Sequence, residues 1–80
     1  MSRRALRNLH RAATFGARVR AARQEVGLTQ ERLARELDVT LRTIQRWEDG
    51  TSEPRGTQLM ALAQCLSVSA SDLYPQPEAA

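Results

Sequence analysis

Two short helical patterns separated by a turn of about three residues constrain this chain more than any other feature. The first opens after Thr29, an N-cap candidate, with Glu31 in its first turn, and buries Leu33, Ala34 and Leu37. Asp38 and Val39 make the turn. Thr40 caps a second helix from about Leu41 to Asp49, stopped by Gly50. At 100° per residue, Ile44 and Trp47 fall within about 60° of each other and both face a core.

The rest of the chain supplies that core. Phe15, Val19, Ala22 and Val26 recur at i, i+4, i+7 and i+11, and Gly27 and Leu28 end the pattern as a left-handed residue and its hydrophobic contact. Residues 50–56, Gly-Thr-Ser-Glu-Pro-Arg-Gly, read as a loop. Leu59, Leu62, Ala63 and Leu66 form a further helical stripe. Ser69 and Asp72 make a capping-box-like pair for a short last helix. That helix places Leu73 and Tyr74, which fit either a core or a dimer patch. No alternating run reads as a strand. The expectation is an all-α, compact bundle of about five short helices. Its predicted core is Phe15, Val19, Leu33, Ala34, Leu37, Ile44, Trp47, Leu59, Leu62 and Leu66.

Eighty residues permit one small domain, and 41% hydrophobic with 26% charged residues fits a folded soluble one. Three segments are expected: a basic N-terminal arm at 1–14, disordered or marginally helical; the helical domain at 15–74; and a Pro-containing tail at 75–80. The arm has only Leu6 and Leu9 as large apolar residues.

Charge is distributed unevenly. All 12 basic side chains are arginine. Residues 1–23 hold Arg3, Arg4, Arg7, Arg11, Arg18, Arg20 and Arg23 and no acid, whereas the remainder carries more acids than arginines. Such asymmetry points to an anionic partner, nucleic acid or membrane surface. The arm's thin apolar face and the lack of a run of roughly 20 apolar residues disfavour a membrane. Cys65 is the only cysteine, which excludes an internal disulfide or a CxxC-type zinc site and suits a reducing cytoplasm. No catalytic pair or triad, phosphate-binding Gly loop or metal cluster is recognisable, so neither an enzyme nor a cofactor is expected.

With Ile44 and Trp47 turned inward, the opposite arc of their helix holds Arg42, Gln45, Arg46 and Asp49. Arg bonds guanine O6 and N7 in a bidentate way, and Gln does the same for adenine N6 and N7. Leu41, at the border of the two arcs, suits contact with a thymine methyl. The alternative is a solvated helix face.

Residues 15–74 resemble the lambda-repressor-like, Cro/CI-type helix-turn-helix DNA-binding family. The matching stretches are Leu28 to Ala34, Val39 to Gly50, Pro54 to Leu66 and Ser69 to Tyr74. The resemblance implies that the helix from Leu41 to Asp49 enters the DNA major groove by its N-terminal part. Its implied DNA contacts are Gln30 and Thr40 at helix starts, Leu41, Arg42, Gln45 and Arg46 on the reading helix, Arg55 in the following loop, and Arg3, Arg4 and Arg7 in the arm. Arg23 and Glu48 match an interhelical ion pair. Two positions depart from the pattern. Asp38 stands where the family usually has Gly, and Arg55 stands at a usual N-cap, so Thr57 is expected to cap the next helix.

Several residues have plainer readings. Arg18 and Arg20 fit a solvated face as well as phosphate contacts. Arg32 and Arg35 suit pairing with Glu31 and Glu36. Trp47 fits the core better than a stacking platform, Cys65 suits a small filler, and His10 receives no role. The expected function is a sequence-specific transcriptional regulator of the cytoplasm, a small repressor acting as a homodimer on a palindromic operator. The alternative is an antitoxin or controller whose main task is binding a protein partner, such as a toxin or the transcription machinery.

Overall fold

The segment Phe15–Glu25 is the hub of the fold in the computed structural model, which describes residues 1–75. Before it lies α1 (Arg3–Arg11); the hub itself is α2 (Phe15–Glu25). After it come α3 (Gln30–Glu36), α4 (Leu41–Asp49), α5 (Thr57–Cys65) and a 3-10 helix (Ala70–Leu73). No strand occurs among the described residues, and none of their helices is long and apolar enough to cross a membrane. The tail expected at 75–80 lies, after Pro75, outside the described residues.

Local signals set the helix limits. The hydroxyls of Ser2, Thr14, Thr29 and Thr40 accept from the backbone N–H three residues on, at 3.0–3.1 Å, satisfying a donor that each helix start would otherwise leave orphaned. Gly27 (φ +77°) ends α2, and Leu28 N–H donates back to the Arg23 carbonyl at 3.0 Å. Asp38 takes φ +54° in the α3–α4 turn, a conformation that Asp tolerates better than most residues. The capping box of Ser69 and Asp72 is complete. Two expectations fail. Val26 is 37% exposed, because it sits at the C-cap where the chain leaves the helical path, and half-buried Leu28 packs on the core instead. Thr57 is the first helical residue rather than a cap; Gly56 occupies the cap position without a side-chain bond.

The core joins Leu9, Phe15, Val19, Ala22, Leu33, Ala34, Ile44, Trp47, Leu62, Ala63, Leu66 and Leu73. Leu37 and Leu59 are half-buried at its edge. Leu73 is fully buried, and the Tyr74 ring lies 4.8 Å from that of Phe15, so both belong to the interior side of the fold. Gly16 lets α2 and α4 touch backbone to backbone. A Cβ there would stand 2.7 Å from the Trp47 carbonyl oxygen and closer still to that of Glu48.

Residues 3–11, which the sequence left open between arm and marginal helix, form a helix seated on α2 with Ala5 and Leu9 buried. Its apolar stripe is thin, as the sequence suggests. Arg18 supplies what the stripe lacks. Its guanidinium donates to the carbonyls of His10 (3.0 Å), Ala12 (3.0 Å), Asp72 (3.0 Å) and Tyr74 (3.4 Å). A cation thus meets the negative C-terminal end of α1 and that of the 3-10 helix. Arg18 is only 8% exposed, so it is neither a solvated residue nor a phosphate contact. His10, given no role by sequence, meets Asp72 Oδ1 through Nε2 at 3.0 Å. Burial opposes ionisation of Asp72, but the bonds from His10 and Ser69 outweigh it and hold its carboxyl below the ordinary value.

Candidate nucleic-acid interface

The placement of α4 follows from two of its residues. Ile44 is fully buried and Trp47 is 3% exposed, which leaves Arg42, Gln45, Arg46 and Asp49 on the outside. Leu41 and Thr43 are half-buried at the flank. Arg42, Gln45, Arg46 and Asp49, with Thr51 beyond the helix, line one shallow depression of about 300 Å³. Among the described residues, the ion pairs are Arg23–Glu48, Arg32–Glu36 and His10–Asp72. Neither Arg42 nor Arg46 is engaged by a protein carboxylate in such a pair, so both guanidiniums keep their forks of donors for another acceptor.

Behind this face α4 is locked. Arg23 Nε donates to Glu48 Oε2 at 2.7 Å and its Nη2 to Oε1 at 3.1 Å, while Nη1 reaches the Leu28 carbonyl at 2.8 Å. Their side chains are 10% and 5% exposed. Gln30, the first residue of α3, donates from Nε2 to Glu48 Oε1 at 3.1 Å. One carboxylate therefore fixes the ends of α2, α3 and α4 relative to one another. It also orients the Gln30 amide, whose oxygen and second N–H remain for a further partner.

The other sequence-derived candidates are scattered. The Thr40 hydroxyl is committed to capping α4 and to Thr43 Oγ1 at 2.9 Å. Arg55 is exposed but lines a neighbouring depression with Gly50 to Pro54 and Tyr74, not the one on α4. Arg3, Arg4 and Arg7 are exposed on α1. Thr51 joins the α4 face without having been foreseen; its cue is the spacing Asp-Gly-Thr, which favours a local side-chain-to-backbone bond. Its N–H donates to Asp49 Oδ1 at 2.9 Å, and its hydroxyl donates to the same oxygen. The Thr51 hydroxyl, its backbone N–H and the Arg46 charge together hold the Asp49 carboxyl below the ordinary range, against a small opposing effect of burial.

Solved structures share this architecture. The P22 c2 repressor protein, solved in complex with a synthetic operator, superposes with a TM-score of 0.74 at 32% identity, covering 79% of this chain and 96% of that one. The solution structure of the P22 c2 DNA-binding domain gives 0.72 at 33% identity, over 76% of this chain and 80% of that one. The HTH-type transcriptional regulator DicA of Escherichia coli is 39% identical over 56 residues, which is 70% of this chain and 42% of that protein. An uncharacterised HTH-type transcriptional regulator of Sinorhizobium medicae is 36% identical over 59 residues, 74% of this chain and again 42% of that protein. The chain thus spans about two fifths of the length of these curated relatives. The profile of the helix-turn-helix family matches residues 19–73, from the middle of α2 through the 3-10 helix, and the chain belongs to that family, with the lambda-repressor-like fold.

Proposed function

We propose that this chain is a sequence-specific DNA-binding unit of a transcriptional regulator, a repressor that reads operator duplex through the major groove. One observation carries the reading. The outer face of α4 presents Arg42, Gln45 and Arg46 unpaired, while Ile44, Trp47 and the Arg23–Glu48 lock make the helix rigid beneath them. Arg42 and Gln45 are the base readers, Leu41 meets a thymine methyl, and Arg46 reaches a base or phosphate. Gln30 and Thr40, at the starts of α3 and α4, flank the groove, and Gln30 offers its remaining amide groups to a phosphate. Arg55, Arg3, Arg4 and Arg7 add sequence-independent attraction to the backbone. The P22 c2 repressor bound to its synthetic operator, and the regulators named above, support the same assignment.

A domain this small makes few base contacts, so the working unit is a homodimer on a two-fold operator with half-sites about 10–10.5 bp apart. The test is selection of bound duplexes from a random pool. A palindrome with that spacing is expected, and a pool that stays random after repeated rounds overturns the reading.

A further inference from the structure

The α4 face contains one group that a generic cationic surface would lack. Asp49 shares a ridge with Arg42 and Gln45, at i+7 and i+4 from them, and lines the same depression. Its carboxylate is held there rather than swinging free, because the N–H and hydroxyl of Thr51 both donate to Oδ1. Among the described residues, Oδ2 accepts no hydrogen bond. Bonded this way and next to Arg46, the group stays ionised at neutral pH and acts only as an acceptor.

A duplex offers such a group little. Phosphates carry no donor and repel it. In the major groove, guanine shows two acceptors, thymine an acceptor and a methyl, and adenine a donor beside the N7 acceptor. Cytosine alone shows its amino group with no acceptor on the same edge. We propose that Asp49 is a specificity-determining residue which, through Oδ2, selects cytosine at one position of each half-site. Thr51 is its positioning residue. This rests on the duplex-reading role proposed above.

Asp49→Asn is the discriminating variant. The Asn carbonyl still accepts from Thr51, so the loop after α4 is kept, but the outward atom becomes a donor. Wild-type and D49N proteins are each used to enrich duplexes from one random pool. The wild-type pool should fix cytosine at one position per half-site. Changing that base to thymine should weaken wild-type binding roughly fivefold or more, with no such loss for D49N. The D49N pool should lose the cytosine and favour thymine, whose O4 stands where the cytosine amino group stood and accepts from the outward amide N–H. Pools that agree at every position overturn the proposal. So does uniformly tighter binding of D49N to all duplexes, which would show that the carboxylate merely repels phosphates. A wild-type pool without any enriched sequence would instead remove the duplex-reading role itself, a failure visible before D49N is examined. Thr51→Val, which keeps the carboxylate but not its hydroxyl anchor, should weaken the cytosine preference without creating one for thymine.

Discussion

Glu48 accepts Arg23 on both carboxylate oxygens, and the oxygen that binds Arg23 Nη2 also receives the Gln30 amide. Breaking one side of so enclosed a pair strands the other charge. Glu48→Ala should therefore cost about 3–5 kcal/mol. Arg23→Met with Glu48→Leu should cost less than E48A alone, because no unpaired charge remains, although the Leu28 carbonyl still loses its donor. Urea unfolding of the three proteins decides this; equal losses for the single and double variants would refute it.

Gly16→Ala improves intrinsic helix propensity by about 1 kcal/mol. It also drives a methyl into the Trp47 and Glu48 carbonyls, which are backbone and cannot swing aside. The second effect wins, and net destabilisation of about 1–3 kcal/mol is expected. A melting temperature at or above that of the wild type would show that α2 and α4 separate at little cost.

Arg18→Lys keeps the charge but replaces a planar fork with a point donor. Four carbonyls on two segments then compete for one ammonium. Each one left unsatisfied costs about 1–3 kcal/mol unless water reaches it. Amide hydrogen exchange should quicken in α1 and in the 3-10 helix, and much less in α3. Exchange unchanged in α1 would mean that Ala5 and Leu9 suffice to hold it.

Asp72 titrates lower in the fold than its ordinary 3.8, so its contribution to stability is complete above that value and is lost as pH falls through the lower folded value. The stability gap between wild type and Asp72→Asn should be larger at about pH 5 than at about pH 2.5, because acid protonates an increasing share of the wild-type carboxyl. Denaturant titrations at the two pH values measure it, and equal gaps would contradict the assignment.

Arg42→Ala should weaken operator binding by about 1–3 kcal/mol and relax the sequence preference at one position. Arg7→Ala should weaken operator and random duplex alike, and make the dependence of affinity on salt shallower by about one unit of slope. Binding isotherms over a salt series separate the two. A uniform loss for R42A would place that residue on the backbone rather than on a base.

The elements that could be read from sequence are those governed by neighbours in the chain. Thr29, Thr40 and the Ser69–Asp72 box announce helix starts, and Gly27 and Gly50 announce ends, because a cap is a bond between residues a few positions apart. The inward turn of Ile44 and Trp47 was legible for the same reason: one helical period fixes both residues and, by subtraction, the outward face. Contacts between distant segments were less visible. Arg18 looks like any arginine in a basic run, yet it is buried by carbonyls from both sides of it in sequence. Gly16 left a cue, a glycine inside a helical pattern, but nothing local says which backbone it meets. For Arg55 and the arginines of α1, position in the sequence says they are charged and exposed, and only the fold says that Arg55 opens onto a different depression from Arg42.

The Arg18 guanidinium has an implication for how the molecule comes apart. Residues 10 and 12 on one side and 72 and 74 on the other are tethered to the same few atoms, so the first and last helical segments share a single mooring. Fraying at either extremity leaves part of the buried guanidinium without acceptors, which weakens its hold on the carbonyls of the opposite extremity. Through that shared guanidinium, loosening of the first helical segment is coupled to loosening of the last.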